Sequence, residues 1–182
     1  MSEATHKDIS WTDAVELASP HPYVLVTTVS DEGVPNVIGI GWFTITSWKP
    51  PMVCISVAPP RHSYGNIEAV GEYVINFPPP DMARAAWKCG TTTGAKVDKF
   101  ADNGLEPVQS TRVRPPAIAG SIMAWECQVV SKMDTGDHRL YIAKIVATRG
   151  DPARTAHLYS IHYRELVAVD REAGSVTQVE YK

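Results

Sequence analysis

The sequence predicts a mainly β protein, a β-barrel flanked by short helices. Many short segments are rich in β-branched and aromatic residues, and glycines, prolines and other turn residues separate them. The segments with helical character are short and do not alternate strictly with the strands, which argues against a doubly wound parallel sheet. Closing the sheet into a barrel is the arrangement that removes its exposed edges.

The first elements are a short helix and a β-hairpin. Residues 9–18 have helical character with Ser10 at the entry, and a Ser-Pro-His-Pro sequence stops the helix. Residues 23–29 are rich in β-branched side chains and predict a strand. The turn residues 30–33 follow, and a second β-rich run covers 36–47. This order predicts a hairpin.

The next elements are two core strands on either side of a helix. An almost continuous apolar run over 52–57 has the length of a strand and ends at two prolines. Residues 62–70 predict a short helix with Ser63 as its cap. The segment 73–77 predicts a further strand, which ends at three consecutive prolines.

The middle of the chain changes character. Residues 81–88 predict a helix, 90–94 a polar loop and 96–101 one or two further helical turns. We interpret this stretch as an insertion over the barrel. Two long β-type segments, 122–132 and 140–148, then predict a second hairpin.

The tail predicts a last hairpin or a dimer arm. Its β-type runs, 166–169 and 176–179, flank an Ala-Gly pair, and the stretch 166–182 is the candidate arm. The sequence contains no internal repeat and no linker. We therefore expect residues 1–182 to form a single domain.

The composition is that of an ordinary globular protein. Hydrophobic residues make up 44% and charged residues 20% of the 182 residues. The 17 basic and 20 acidic residues give a net charge of −3 without a long basic run, which disfavours nucleic acid as a partner. No segment approaches the roughly 20 apolar residues of a membrane helix, and the first residues lack the apolar core of a signal peptide. We expect a cytoplasmic protein outside the membrane.

Metal sites and disulfides are not expected. Cys54, Cys89 and Cys127 are far apart, and Cys54 lies in an apolar run where a thiol behaves as a small hydrophobe. The six histidines form no HExxH motif, and no cysteine pairs with them at ligand spacing. The sequence therefore predicts no protein-built metal site.

Two polar segments in the first half are candidates for ligand binding. Thr44 and Thr46 alternate with apolar residues and are predicted to share one face of a strand, although threonine is also simply a good strand residue. The segment Arg61–Ser63 opens a predicted helix, where backbone N–H groups and the helix dipole favour an anion such as phosphate. A serine cap beside a solvated arginine is the alternative.

Two further candidates lie in the second half. The loop 89–100 would deliver Lys99 over whatever lies beneath it, but it lacks the Gly-Lys-Ser/Thr of a Walker A loop and could be an ordinary loop with a solvated lysine. Asp137 and His138 open a strand. Histidine can donate to ligand charge near neutral pH, whereas a turn aspartate beside an exposed histidine is the simpler alternative.

The remaining aromatic and histidine residues are weaker candidates. Trp42 and Trp48 could stack on a ring system, yet large aromatic side chains more often fill a core or an interface. His157 and His162 are five residues apart and do not share a helix face.

Taken in order, these segments resemble the flavin reductase-like family, the FMN-binding split barrels of Greek-key type that include NAD(P)H:flavin oxidoreductases, flavoredoxins and archaeal-type ferric reductases. The resemblance spans most of the chain and rests on the order and spacing of its pieces. These are Val24–Thr28, Gly33–Val37, Thr44–Ser47, Pro50–Val53, Arg61–Ser63, Tyr73–Asn76, Cys89-Gly90, Gly94 with Asp98–Phe100, Glu126-Cys127 and Asp137-His138. One departure lies at Ala143 and Lys144, where the family usually has glycine and then an acidic or polar residue.

The resemblance implies a set of FMN-binding residues. The flavin would be lined by Thr44, Ile45, Thr46 and Ser47, and its phosphate held by Arg61, His62 and Ser63. Lys99 would close over the cofactor from the insertion, and His138 would act beside the isoalloxazine ring, where a nicotinamide or another substrate stacks. The resemblance also implies NADH or NADPH as electron donor and a homodimer with the flavin cleft at the subunit interface.

Three functions are compatible with these expectations. The first is an NAD(P)H-dependent flavin reductase that passes electrons on to free flavin, a ferric complex or another acceptor. The second is an FMN electron carrier that a protein partner reduces. The third, a scaffold that has lost its flavin, is disfavoured because hydroxyls and cations remain at all the expected positions.

Overall fold

Antiparallel sheets build most of this chain, whose residues 6–179 are described by a computed structural model. Seven strands form one sheet in the order β3-β2-β6-β9-β10-β5-β4, four form a second in the order β1-β11-β12-β13, and β7 pairs with β8. The strands are β1 His21–Pro22, β2 Val24–Val29, β3 Pro35–Ile40, β4 Phe43–Trp48, β5 Pro51–Val57, β6 Glu72–Phe77, β7 Pro107–Val108, β8 Ala117–Ile118, β9 Met123–Thr135, β10 His138–Gly150, β11 Ala156–Ile161, β12 Glu165–Asp170 and β13 Ser175–Gln178.

The helices are short. They are α1 Trp11–Leu17, α2 His62–Val70, α3 Ala83–Thr91 and α4 Lys99–Asp102, with a 3₁₀ turn at Pro80–Met82. In the described part of the chain, none of them is long and apolar enough to cross a bilayer.

The seven-stranded sheet must curl into a barrel that is open along one seam. Its two outermost strands, β3 and β4, are consecutive in the chain and are joined by Gly41 and Trp42 alone. The Cα atoms of Ile40 and Phe43 are three steps apart and are separated by no more than about 11 Å, so the edges of the sheet approach each other at this point. The Ser56 backbone N–H donates to the Trp42 carbonyl at 3.0 Å and holds the connection against β5. The fold is the predicted split barrel.

The barrel interior and a second cluster form the hydrophobic core. The interior is filled by fully buried side chains such as Val26, Ile55, Tyr73 and Tyr141. The second cluster packs α3, α4 and the four-stranded sheet on the outside of the barrel around Leu25 and other buried residues. The predicted insertion therefore lies against the barrel and is held there by apolar contacts.

Several elements confirm the prediction. Strand β2 pairs with β3 as a hairpin and β9 pairs with β10 as a second one. Helix α1 begins after Ser10, whose side chain accepts from the Asp13 backbone N–H at 3.1 Å. The tail hairpin is also present, because β12 pairs with β13. Residues 180–182 of the candidate dimer arm lie outside the described residues.

Other elements differ from those predicted from the sequence. The predicted run 36–47 is two strands, β3 and β4, which end up at opposite edges of the same sheet. Strand β11 was not predicted, and the helix expected at 81–88 is a 3₁₀ turn followed by α3. Helix α2 has Arg61 as its N-cap without a side-chain cap, so Ser63 is not the capping residue.

Candidate functional site

Two adjoining cavities form one cleft beside the barrel seam. We call them the aromatic cavity, of about 300 Å³, and the polar cavity, of about 70 Å³. Ile38, Arg61 and Gly90 line both of them, so the two spaces are neighbours. One end of the cleft is thus apolar and aromatic, and the other is small, cationic and rich in hydroxyls.

The polar cavity joins two segments that are 30 residues apart in the sequence. Its walls come from the start of α2, from the loop after α3 and from the first residue of α4. The lining side chains that can bond an anion are those of Arg61, His62, Ser63, Thr93 and Lys99, while the Thr92 hydroxyl donates to the Lys88 carbonyl at 2.7 Å. The structure therefore brings the predicted residues 61–63 and Lys99 together, and the start of α2 adds unpaired backbone N–H groups.

Lys99 is a buried cation that has no carboxylate partner among the described residues. Its side chain is 4% exposed, and its Nζ donates to the Cys89 carbonyl at 2.7 Å. Among the described residues, no ion pair includes Lys99 or Arg61. Burial lowers the pKa of Lys99; the charge of Arg61 lowers it further, against an opposing effect of Cys89. A bound anion would remove this electrostatic cost.

Ser63 is held so that it can donate into the polar cavity. The Asn36 side-chain Nδ2 donates to Ser63 Oγ at 2.7 Å, and both residues are buried. A hydroxyl carries one hydrogen and two acceptor positions, so with one acceptor position occupied by Asn36 the hydrogen is left for a ligand.

Gly94 is required by the close approach of the loop to this pair. A Cβ atom at residue 94 would lie 2.0 Å from Asn36 Oδ1 and 3.1 Å from His62 Cδ2. Any side chain there would push Asn36 or His62 out of place. The loop glycine of the sequence motif thus has a packing reason.

The aromatic cavity is lined by the end of β3, by the connection that follows it and by residues from several other segments. Trp42, His138 and Tyr163 form its aromatic wall. The Trp42 ring centroid lies 4.9 Å from that of His138, and Trp42 Nε1 donates to Tyr163 Oη at 2.5 Å. His21 stacks on Tyr163 with 5.0 Å between centroids. A flat aromatic ligand can pack against such a wall.

His138 is oriented by its neighbour. Its Nδ1 lies 2.7 Å from Asp137 Oδ1, and its side chain is 23% exposed. The hydrogen bond from His138 lowers the pKa of the exposed Asp137 carboxyl, which therefore acts as the acceptor. Nδ1 carries the hydrogen, and Nε2 is left for contacts inside the cavity.

The predicted residues 44–47 lie elsewhere. Thr44, Ile45, Thr46 and Ser47 belong to the outermost strand β4 and line neither cavity of the cleft. The pairing of β4 with β5 shifts between Ile45 and Ser47, which leaves Thr46 unpaired in a bulge. This bulge interrupts the regular alternation from which a shared face of Thr44 and Thr46 was predicted.

Three residues of the cleft carry little or no signal in the sequence. Asn36 belongs to a strand motif but carries no chemical signal of its own. Trp42 is a weak candidate by sequence, and no sequence pattern indicates Tyr163. Tyr163 follows His162 in a turn where both have positive φ angles, 55° and 52°, which is costly for residues other than glycine and typical of functional positions.

The departure at 143–144 does not reach the cleft. Ala143 is fully buried in the barrel interior, and Lys144 is exposed; neither lines the two cavities. The close backbone approach that glycine would permit is therefore not needed for the cleft described above.

A third cavity, of about 420 Å³, lies at the far end of the β9–β10 hairpin. Its cations are already neutralised, since Arg149 is 3.4 Å from Glu126 and Arg154 is 3.5 Å from Asp81. In the described part of the chain, no group of three or more potential ligand side chains is placed to hold a metal ion. The cleft beside the seam is therefore the candidate site.

Comparisons with known proteins agree with the fold. The flavin reductase like domain matches residues 17–167. An uncharacterized protein of Pyrococcus abyssi is 35% identical over 125 residues, which cover 69% of this chain and 70% of that protein. The reductase component of a 4-nitrophenol 4-monooxygenase/4-nitrocatechol 2-monooxygenase from Rhodococcus opacus is 26% identical, over 86% of this chain and 81% of that protein.

Among solved structures, the flavoredoxin of Desulfovibrio vulgaris (Miyazaki F) superposes with a TM-score of 0.71. It covers 99% of this chain and 93% of its own, at 23% sequence identity. At this level of identity the likeness concerns the fold.

Proposed function

This chain belongs to the flavin reductase-like family, and on that basis we propose that it is an FMN-binding oxidoreductase reduced by NADH or NADPH. The observation that carries the proposal is the buried, carboxylate-free Lys99 beside Arg61 and Ser63, at one end of a cleft whose other end is aromatic. A ligand with a phosphate at one end and a flat ring at the other matches this arrangement.

In the proposal, the polar cavity receives the phosphate. Arg61 and Lys99 supply positive charge, Ser63 and Thr93 supply hydroxyl donors, and the N-terminus of α2 supplies backbone N–H groups. Its volume of about 70 Å³ is small and suits a single phosphate group. The residues present therefore fit FMN.

The aromatic cavity then receives the isoalloxazine ring and the substrate that stacks on it. When bound, FMN supplies the redox chemistry, taking up two electrons from a nicotinamide and passing them to an acceptor. The protein fixes the ring against Trp42 and Tyr163 and keeps one side open. His138 presents Nε2 to the ring or the nicotinamide, and in its protonated form, with Asp137 bonded to Nδ1, it can donate from Nε2 to negative charge there.

A second candidate function is an FMN electron carrier that a protein partner reduces. Its support is the fold likeness to flavoredoxin, while the named reductase component from Rhodococcus supports the first function. The two functions share the cleft and differ in whether a nicotinamide nucleotide reduces the flavin. A scaffold without flavin is disfavoured, because it would leave the buried Lys99 charge uncompensated.

We also propose a homodimer. The edge strand β4 exposes Ile45 (51%) and Trp48 (86%), and the β9–β10 hairpin exposes Val130 and Met133. Apolar side chains grouped on a sheet edge and a protruding arm favour burial against a second copy. In such a dimer, the segment 44–47 would approach a flavin from the interface, as the family resemblance implies.

The experiment that tests the function is an anaerobic absorption spectrum of the purified protein loaded with FMN, recorded before and after NADH and NADPH. A flavin band that bleaches with either nucleotide supports the reductase. A bound flavin that only a chemical reductant bleaches supports the carrier, and a protein that does not retain FMN refutes both.

A further inference from the structure

The two halves of the cleft are carried by different elements. Helix α2 begins at the polar cavity, and β10 begins with His138 at the aromatic cavity. A ligand that fills both cavities needs these elements at a fixed separation. The question is which contacts hold α2 and β10 together.

Glu68 on α2 makes that link. Its carboxylate accepts from Tyr141 Oη at 2.7 Å and lies 3.2 Å from Arg139 Nη1, both on β10. Lys132 Nζ on β9 adds a third contact at 3.1 Å. Arg139 directly follows His138, so Glu68 reaches the strand next to the proposed catalytic residue.

Aromatic packing supports the same link. The Arg139 guanidinium lies over the Tyr64 ring, 5.4 Å from its centroid, and Tyr64 meets Tyr141 edge to face at 6.0 Å. Tyr64 is on α2, two residues after the His62 of the polar cavity. Ionic and aromatic contacts therefore tie the first two turns of α2 to the start of β10.

The carboxylate is well suited to hold this position. Partial burial opposes its ionisation, but hydrogen bonds from Tyr141, Lys132 and Arg139 together hold the pKa of Glu68 below its ordinary value. Isolated surface ion pairs contribute little, whereas this one joins three donors, of which Tyr141 is fully buried. The link is thus a network with one member in the barrel core.

We propose that Glu68 is a positioning residue that sets the separation between the polar and the aromatic cavity, and so lets one ligand use both. This inference rests on the proposed function, because FMN is the ligand that would span the cleft. Glu68 lines neither cavity itself and acts through α2 and β10.

The effect of such a link depends on the ligand. Two linked binding groups reinforce each other only when the protein holds their subsites at the matching distance. FMN uses both cavities, riboflavin uses the aromatic cavity, and inorganic phosphate uses the polar cavity. Loosening the link should therefore weaken FMN binding and leave the affinities for riboflavin and inorganic phosphate almost unchanged.

The test compares Glu68→Gln with Asp134→Asn in the full chain. Glutamine keeps an oxygen for Tyr141 but cannot neutralise Arg139 or Lys132. Asp134 accepts from Arg139 Nε at 2.6 Å and makes no hydrogen bond or ion pair with α2 among the described residues, so its substitution controls for loss of charge next to Arg139. Dissociation constants for FMN, riboflavin and inorganic phosphate are measured by calorimetry on the flavin-free protein.

We expect the FMN dissociation constant to rise about tenfold in Glu68→Gln and to stay within about twofold in Asp134→Asn, with riboflavin and phosphate within about twofold in both. Tyr141→Phe, which loses the hydroxyl but keeps the ring, should also raise the FMN dissociation constant. Unchanged FMN affinity, or an equal loss for riboflavin, would overturn the positioning role. A wild-type protein that binds neither flavin would instead refute the proposed function and the link with it.

Discussion

The Lys99 ammonium group donates to the backbone carbonyl of Cys89 at 2.7 Å, ten residues earlier in the chain. This contact closes the loop after α3 and turns a buried charge toward the polar cavity, beside Arg61. A carbonyl accepts a hydrogen bond but does not neutralise a charge. The arrangement is therefore stabilised when an anion binds.

Arg61→Ala should weaken FMN binding by about 1.5–3 kcal/mol, the range for losing a hydrogen bond to a charged group. The binding free energy of riboflavin, which has no phosphate, should change much less. Calorimetric titration with both flavins measures the difference. Equal losses for the two ligands would remove Arg61 from the phosphate site.

FMN affinity should fall as the pH rises through the lowered pKa of Lys99, below its ordinary value of 10.5. In that range Lys99 loses its proton in the empty protein, whereas a bound phosphate keeps Lys99 protonated. The stability of the empty protein should rise with pH in the same range, because the unfolded chain binds the proton that the fold releases.

Lys99→Met is the matched variant for this pH dependence. It keeps an unbranched apolar stem and removes the titrating group, so both pH trends should disappear while FMN binding weakens. Denaturant unfolding and FMN titration from pH 7 upward measure them. If the free energy of unfolding and the FMN affinity change with pH equally in wild type and variant, another group is responsible.

His138→Ala should keep FMN bound and slow flavin reduction, by an amount on the order of tenfold to a thousandfold for one positioned group. Asp137→Asn should produce a smaller effect in the same direction, since it removes the charge that orients the ring. Stopped-flow bleaching of the flavin band by NADH and NADPH is the measurement. An unchanged rate with both donors would leave His138 without a role in the reaction.

Trp48→Glu should convert a dimer into a monomer. Trp48 is 86% exposed on the edge strand β4, so a charge there disrupts an interface without disturbing the barrel core. Light scattering and thermal unfolding report the two effects separately. A wild-type monomer that binds FMN tightly would show that the cleft is complete within one chain.

Local signals explain why much of the fold could be predicted. The N-cap at Ser10 and the turn at 30–33 act within a few residues, and the structure has a helix and a hairpin there. The prediction of one continuous β-rich run at 36–47 is wrong for a long-range reason. The chain leaves one edge of the sheet at Gly41 and enters the other, and no local pattern marks a change of edge inside a continuous β-rich segment.

The candidate site likewise contains residues that local motifs indicate and residues that only long-range contacts place there. Residues 61–63, Lys99 and His138 belong to short motifs, and the structure places them around the cleft. Asn36 and Tyr163 enter it only through tertiary contacts, with Ser63 and Trp42 respectively. Such contacts between residues 27 and 121 positions apart leave no periodic or compositional trace.

The measurement that tests the central claim most directly is a crystal structure of this protein with FMN. We predict the phosphate within hydrogen-bond distance of Arg61, Ser63 and Lys99, and the isoalloxazine ring in the cavity walled by Trp42 and His138. A phosphate bound elsewhere, for example beside Arg149 in the third cavity, or a ring outside the aromatic cavity, would contradict the account.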